Sequence, residues 1–142
     1  MAQFTEKLDP DDADIEAVRL TLTADLDRQG RDLGYRPYSI LLSDTPSGPV
    51  TGGLYGYVLF EWLFIQYVSV PEALQGKGVG TELMGKAEAW ARAEGLGGLW
   101  LDTFAFQARP FYEKLGFTVF GEITDHPRGS SRYFLKKHLD RR

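Results

Sequence analysis

The sequence contains no cysteine among its 142 residues. A chain without thiols forms no disulfide framework and offers no thiol nucleophile or cysteine ligand for a metal. We therefore expect a protein of the reducing cytoplasm without a metal site. Long apolar runs are absent as well, since the longest, residues 62–70, is too short to cross a bilayer and includes Gln66. The N-terminus lacks the apolar segment of a signal peptide, so we expect no membrane partner.

Positive charge is also scarce. Sixteen Lys and Arg residues stand against 20 Asp and Glu residues, which gives a net charge of −4. Nonspecific binding to nucleic acid needs a concentrated basic face, so we expect no nucleic-acid partner. The content of apolar residues, 43%, and of charged residues, 25%, is typical of a globular protein. The length suits one domain and is too short for two, so residues 1–142 are predicted to form a single domain.

Apolar spacing and chain breakers predict several strands, then a strand–helix–strand unit and two closing strands. The first segment, Phe4–Leu8, is predicted as a short strand, and a helix follows from Asp11 to a break at Gly34. The apolar segment Trp62–Val70 is predicted as a central strand covered on both faces. The remaining predicted elements are strands Tyr38–Ser43 and Val50–Phe60, a helix that ends at Gly95, strand Leu99–Phe104, a short helix at about Pro110–Leu115, and strands Thr118–Ile123 and Ser131–Lys137. This order predicts one α/β sheet domain.

Three glycines, Gly76, Gly78 and Gly80, lie where the central strand gives way to a helix. Backbone N–H groups at a helix N-terminus lack helical acceptors and bind anions, and Lys77 adds a positive charge. The loop therefore either cradles a diphosphate or is a turn whose glycines permit tight packing. Two known phosphate loops do not match, because a Walker loop needs Ser or Thr after Lys77 and the dinucleotide fingerprint needs glycine at Thr81.

A third signature does match. "QGKGVG", Gln75–Gly80, resembles the Q/R-x-x-G-x-G/A motif of the GNAT family of N-acetyltransferases, and "ARPFYEKLGF", residues 108–117, resembles the family's second motif, A-x-x-x-Y-x-K-x-G-F. Two motifs in the correct order are more specific than either alone. The resemblance implies an α/β fold of the α+β type, with a mixed, mostly antiparallel sheet flanked by helices and a splayed central strand pair.

The resemblance also implies a function. The protein would transfer an acetyl group from acetyl-coenzyme A (acetyl-CoA) to a primary amine of a small molecule or peptide. The backbone of Val68 and Val70 would pair with the pantetheine arm, and Gln107 would replace a family asparagine whose position is Ala105 here. The residues implied in cofactor binding are Val68, Val70, Gln75, Gly76, Lys77, Gly78, Val79, Gly80, Thr81, Gln107, Phe111 and Lys114.

The same resemblance implies that Tyr112 protonates the departing thiolate. Alternatively, Tyr112 is a packing aromatic with a hydrogen-bonded hydroxyl. The base that deprotonates the amine is either Asp102 or Glu61. Counting back from the glycine loop places Trp62 at the family's glutamate, so that only a β-bulge would bring the neighbouring Glu61 onto the correct face. Asp102 is equally well explained as a structural carboxylate bonded to backbone.

The sequence leaves open whether the chain catalyses a reaction, which acceptor it takes, whether it forms a dimer and what three further glycines do. The chain could bind acetyl-CoA without catalysis, as a sensor or interaction domain. Its acidic charge hints at a cationic acceptor such as a polyamine, an aminoglycoside or a lysine side chain, and a homodimer is common in the family. Gly52, Gly53 and Gly56 indicate a bulge or a close backbone contact, which would also admit an acceptor.

Overall fold

A computed structural model describes residues 1–140, which divide at Gly34 into two compact units. The first unit, residues 1–33, contains helix α1, Asp12–Arg28. A capping box starts this helix: the Asp11 carboxylate accepts from the N–H of Asp14 at 2.8 Å, and the Asp14 carboxylate accepts from the N–H of Asp11 at 3.2 Å. Two of the helix's unpaired N-terminal donors are satisfied in this way, and the predicted helix is confirmed.

The predicted strand at Phe4–Leu8 is wrong. This segment has no regular secondary structure, and the side chains of Phe4 and Leu8 are fully exposed. A strand is stable only when a neighbour pairs with its backbone, and no strand among residues 1–140 pairs with this segment. The residue pattern alone therefore gave a false strand.

The second unit is built on one six-stranded sheet of order β1-β2-β3-β4-β6-β5. Neighbouring strands are antiparallel except β3 and β4, which are parallel because α2 connects them. The predicted strands and helices of this unit are confirmed to within a few residues. The bounds are β1 Arg36–Ser43, β2 Val50–Leu59, β3 Trp62–Ser69, α2 Val79–Ala93, β4 Gly98–Phe104, α3 Arg109–Lys114, β5 Thr118–Thr124 and β6 Ser131–His138, with a 3₁₀ turn at Glu72–Leu74.

The core of this unit lies between one face of the sheet and helix α2. The helix contributes an apolar stripe at helical spacing, and the central strands contribute alternate residues. Each buried leucine is worth about 1.5–3 kcal/mol relative to an exposed one. The cluster includes Leu83, Met84, Ala87 and Ala91 of α2 and Leu54, Leu63, Leu99, Leu101 and Leu135 of the sheet. This packing fixes the start of α2 beside the end of β3.

Strand β3 departs from the prediction that both its faces are covered. Leu63 and Ile65 are buried, but Trp62 and Phe64 are only half-buried and Tyr67 is 63% exposed. Trp62 and Phe64 lie in the half of β3 that is paired with β4, so their exposure shows that the face opposite α2 is only partly covered. β3 and β4 pair only from Trp62↔Gly98 to Ile65↔Leu101, although both strands continue further. The two strands therefore separate, and the second half of β3 loses its neighbour. This is the splayed strand pair that the resemblance implied.

A β-bulge lies at the point of separation. Tyr55 of β2 pairs with Tyr67 and the next residue, Gly56, pairs with Ile65, so that Gln66 is left without a partner in the ladder. A Cβ on Gly56 would lie 2.2 Å from the carbonyl oxygen of Phe64. Only glycine therefore allows β2 to approach β3 this closely. A bulge also increases the local twist of a strand, which agrees with the divergence of β3 from β4.

No helix within residues 1–140 has the length and apolar character needed to cross a membrane.

Candidate active site

A cleft of about 610 Å³ opens where β3 and β4 separate. Gln66–Ser69 of β3 form one wall, Asp102–Phe104 of β4 form the other, and Arg132 of β6 also lines the space. A second groove, of about 390 Å³, lies along the glycine loop and the start of α2. Val68, Ala108 and Tyr112 line both spaces. The cleft and the groove therefore meet at these three residues, of which Tyr112 carries the only ionisable side chain.

The glycine loop lines the groove with the backbone N–H groups at the start of α2. Gly76 and Gly78 have φ angles of +75° and +80°, and a Cβ on either would meet no atom within 4 Å. The first hydrogen bond of α2 joins the N–H of Glu82 to the carbonyl of Gly78 at 3.0 Å. The N–H groups of Val79, Gly80 and Thr81 precede that bond and have no acceptor in the helix. The open space and the positive helix end fit a diphosphate.

Gly80 has a different role from the other two glycines. A Cβ at this position would lie 3.3 Å from the ring of Phe111, so Gly80 allows α2 to pack closely on α3. Gln75 anchors the loop, because its side-chain nitrogen donates to the carbonyl of Val70 at 3.0 Å. Val70, Gln75, Phe111 and Thr81 all line the groove, and Lys77 is exposed on the loop. The two interpretations of the glycines therefore concern different residues. Gly76 and Gly78 leave space that a diphosphate could fill, and Gly80 permits tight packing.

Tyr112 lies in the short helix α3 and is 8% exposed. The rings of Phe111 and Phe117 pack edge-on against it, with centroids 5.0 and 6.0 Å away. Burial, and then the negative charge of Asp102, raise the pKa of its hydroxyl above the ordinary 10.0. Within residues 1–140 no group hydrogen-bonds to this hydroxyl. The structure therefore favours a protonated donor that faces the cleft over a hydroxyl with a structural partner.

Asp102 lies on the β4 wall of the cleft, and its side chain is 18% exposed. The Nε and Nη2 atoms of Arg132 lie 2.9 and 2.8 Å from the same carboxylate oxygen, Oδ1. Its structural partner is thus a guanidinium rather than the backbone that the sequence suggested. Oδ2 has no hydrogen bond to any residue in the described part of the chain, so it can accept a hydrogen bond or a proton in the cleft.

Glu61 lies apart from this site. It forms the turn between β2 and β3 with Phe60, and both residues have positive φ, 69° and 46°. This turn precedes Trp62, where β3 and β4 are still paired. The bulge that the counting argument required does exist, at Gln66, but it leaves Glu61 at the opposite end of β3 from the cleft. The structure brings Asp102 and Tyr112 to one cleft and does not bring Glu61 there.

Gln107 and Lys114 are both predicted to bind the cofactor, and the structure places them differently with respect to the cleft. The side-chain oxygen of Gln107 accepts from the N–H of Phe104 at 3.0 Å, which holds the end of β4, and Gln107 lines the cleft. Lys114 is exposed on α3 and lines neither the cleft nor the groove. Sequence reasoning missed Arg132, because only the sheet order places β6 beside β4. Within residues 1–140, no group of three or more His, Asp or Glu side chains is placed to hold a metal ion.

Comparisons with known proteins agree with this geometry. Residues 6–117 match the model of the acetyltransferase (GNAT) family. The chain is 38% identical over 93 residues to blasticidin-S acetyltransferase from Streptomyces morookaense, which covers 65% of this chain and 68% of that protein. It is 39% identical over 90 residues to acetyltransferase Atu2258 from Agrobacterium fabrum, which covers 63% of this chain and 66% of that protein.

The fold agrees equally well. This chain superposes with a TM-score of 0.90 on the crystal structure of a protein from Agrobacterium tumefaciens that is described as an acetyltransferase. The two are 31% identical, and the superposition covers 97% of this chain and all of that one. The chain therefore belongs to the GNAT acetyltransferase family. It is an enzyme, an N-acetyltransferase that uses acetyl-CoA as its acetyl donor. The predicted family, fold class, reaction and cofactor are confirmed.

Proposed function

We propose that the enzyme acetylates a primary amine of a small cationic molecule in the cleft between β3 and β4. The observation that carries this proposal is the meeting of the two spaces at Tyr112, with Asp102 on the wall of the cleft. The cleft encloses about 610 Å³, within the range of small-molecule sites. The likeness to a blasticidin-S acetyltransferase supports a small-molecule amine as the acceptor.

The groove is the proposed site of acetyl-CoA. The N–H groups from Gly76 to Thr81 would hold its diphosphate, Lys77 would add charge, and the backbone of Val68 and Val70 would bind the pantetheine arm. Phe111 would pack against that arm. When bound, acetyl-CoA supplies the acetyl group as an activated thioester. The fit rests on the open space before Gly76 and Gly78 and on the N–H groups at the start of α2 that have no helical acceptor.

Two side chains would move protons. Asp102 would accept a proton from the amine, directly or through a water molecule, while the new N–C bond forms. Tyr112 would donate its proton to the sulfur as the C–S bond breaks, and its raised pKa keeps that proton in place at neutral pH. Asp102 is preferred to Glu61 as the base because only Asp102 lines the cleft. The pairing of Asp102 with Arg132 through a single oxygen leaves Oδ2 for this task.

The proposal is tested by measuring thiol release from acetyl-CoA with different amines. Blasticidin S, spermidine, an aminoglycoside and a lysine-containing peptide serve as acceptors, and mass spectrometry identifies the acetylated product. We expect a small cationic amine to gain one acetyl group. Exclusive acetylation of the peptide would contradict the assignment of a small-molecule acceptor.

A further inference from the structure

Two stacked pairs of aromatic rings each contribute one ring to the lining of the cleft. Tyr67 of β3 stacks on Tyr55 of β2, with centroids 6.2 Å apart and planes at 27°. Phe104, the last residue of β4, stacks on Phe106, with centroids 5.5 Å apart and planes at 7°. Tyr67 and Phe104 line the cleft from opposite walls. Each pair also presents a largely exposed ring, since Tyr67 is 63% exposed and Phe106 is 67% exposed.

Both pairs belong to the face of the sheet opposite α2. Leu99, Leu101 and Thr103 of β4 are buried, so the alternate residues Asp102 and Phe104 lie on the other face. In β2, Leu54 is buried and Tyr55 alternates with it, and Tyr67 lies directly across from Tyr55. Asp102, Tyr67 and Phe104 therefore share one face and one cleft. An acceptor that enters from this face can therefore contact both the rings and the carboxylate.

Neighbouring side chains hold the rings in place before any ligand binds. Tyr55 packs against Tyr67, and the neighbouring hydroxyl of Tyr35 raises the pKa of Tyr55. The ring of His126 packs edge-on against Phe104 at 5.5 Å, and the guanidinium of Arg132 lies 5.5 Å from the Phe104 centroid. Groups that are already ordered lose little conformational freedom when a ligand binds. Because Phe106, His126 and Arg132 already contact Phe104, the exposed rings of Tyr67 and Phe106 are the surfaces left for a ligand.

We infer that the acceptor amine carries a planar aromatic or heteroaromatic ring, which stacks on Tyr67 and on the Phe104–Phe106 pair while the amine reaches Asp102. This inference rests on the proposed function and narrows its acceptor to ring-bearing amines. Stacking tolerates different substituents on the ring of the ligand but needs a flat partner. Each stacked ring is worth about tenfold or more in affinity. A flexible aliphatic amine such as a polyamine gains nothing from these rings.

The test compares two amines of equal charge, tryptamine and hexylamine. Calorimetry on the full chain saturated with coenzyme A should show that tryptamine binds at least about tenfold more tightly. Tyr67→Leu and Phe106→Leu should each remove most of this preference, because they weaken the binding of tryptamine more than that of hexylamine. Tyr67→Phe keeps the ring and should keep the preference. Phe120→Leu is a matched control, because Phe120 is an exposed ring on β5 that does not line the cleft.

The outcomes separate this inference from the proposed function. Equal affinity for the two amines, or an unchanged preference in both Tyr67→Leu and Phe106→Leu, would overturn the stacking site. Thiol release from acetyl-CoA is measured separately on the same samples. Ring-dependent binding without acetylation of either amine would support the stacking site and count against the proposed function. Because Tyr67 and Phe106 are exposed, melting temperatures near the wild-type value should confirm that the variants fold.

Discussion

Tyr112 is a buried side chain whose surroundings suit the proton transfer proposed for it. Its ring is fixed between Phe111 and Phe117, and its hydroxyl reaches the junction of groove and cleft without a protein partner among the described residues. Burial and the nearby carboxylate of Asp102 both disfavour the phenolate and raise the pKa of the hydroxyl. The site therefore keeps a neutral donor at physiological pH, as the proposed protonation of the thiolate requires.

Tyr112→Phe should lower turnover by roughly 10²-fold, at the low end of the range for general acid catalysis, because a thiolate is itself a fair leaving group. The ring and its packing stay in place, so the affinity for acetyl-CoA and the melting temperature should change little. Tyr38→Phe is the control, since Tyr38 is a half-buried tyrosine that stacks on Trp90 away from the cleft. Full activity in Tyr112→Phe would remove the tyrosine from the reaction.

Asp102 and Glu61 can be separated by matched amide variants. Asp102→Asn should lower turnover by roughly 10²–10⁴-fold, because an amide cannot accept the amine's proton. Glu61→Gln should leave turnover close to wild type, because Glu61 lies in the turn before β3 and does not line the cleft. Steady-state kinetics with a known acceptor would measure both. If Asp102→Asn is as active as the wild type, water or an amine that arrives neutral would replace the proposed base.

The loop before α2 is the element on which the proposed acetyl-CoA site depends. Gly78 is its N-cap, in a left-handed conformation that favours glycine and leaves the helix N–H groups open to a ligand. Gln75 and Gly80 fix the loop against β3 and α3. The proposed diphosphate site therefore depends on the backbone, and a side chain with negative charge at Gly78 should disturb it.

Gly78→Asp should weaken acetyl-CoA binding more than tenfold, whereas Gly78→Asn should weaken it far less. Asparagine and aspartate have similar size and tolerate the left-handed region similarly, so the pair isolates charge from backbone strain. A negative side chain at the positive helix end would compete with and repel a diphosphate. Calorimetry on both variants measures the difference. Equal affinities would argue against a charged group at this loop.

The strands and helices of the sheet unit could be predicted because their signals are local. Apolar alternation, helical spacing and Gly or Pro breakers all occur within each segment. The glycine loop and Tyr112 could be found for the same reason, since each motif is contiguous. Whether Phe4–Leu8 forms a strand, and how much of β3 is exposed, depend instead on whether a neighbouring strand is present. The local sequence does not show this. Arg132 could not be predicted as the partner of Asp102, because 30 positions separate them and only the sheet order brings them together.

Gly56→Ala tests the close approach of β2 and β3 at the bulge. The added Cβ would lie 2.2 Å from the carbonyl oxygen of Phe64, so β2 and β3 must move apart. We expect a loss of about 1–3 kcal/mol in the free energy of unfolding, the usual cost of overpacking. Gly85→Ala is the control, because Gly85 lies in α2 with no atom within 4 Å of its Cβ. That variant should gain up to about 1 kcal/mol from helix propensity. Urea unfolding that ranks the two variants in the opposite order would contradict this account of the bulge.

At the scale of the molecule, the half-buried ammonium group of Lys137 joins several elements of the second unit through hydrogen bonds. Nζ of Lys137 in β6 donates to the carboxylate of Glu88 in α2 at 2.6 Å and to the carbonyl of Leu115, just after α3, at 2.8 Å. Arg92 also donates to Glu88, at 3.2 Å. These bonds join α2, the end of α3 and the sheet behind the groove. The elements that carry the glycine loop and Tyr112 are thereby held to β6.

Glu88→Gln should therefore destabilise the protein in a pH-dependent way. Burial raises the pKa of Glu88, but the hydrogen bonds from Lys137 and Arg92 outweigh it, so the net pKa is below the ordinary 4.5. Because the folded state binds the proton less tightly than the unfolded state, this stabilisation is present above pH 4.5 and is lost as the pH falls through the folded value. We expect Glu88→Gln to cost about 1–3 kcal/mol at neutral pH.

Urea unfolding of the wild type and of Glu88→Gln at a series of pH values measures this contribution directly. The difference in unfolding free energy should be largest at neutral pH and should shrink below pH 4.5, where the wild-type carboxyl becomes neutral as well. Glu113→Gln is the control, because Glu113 pairs with Arg109 on the exposed surface of α3 and its loss should change stability little at any pH. A difference that stays constant across the series would show that Glu88 contributes through packing, and the tie between α2 and β6 would then not be ionic.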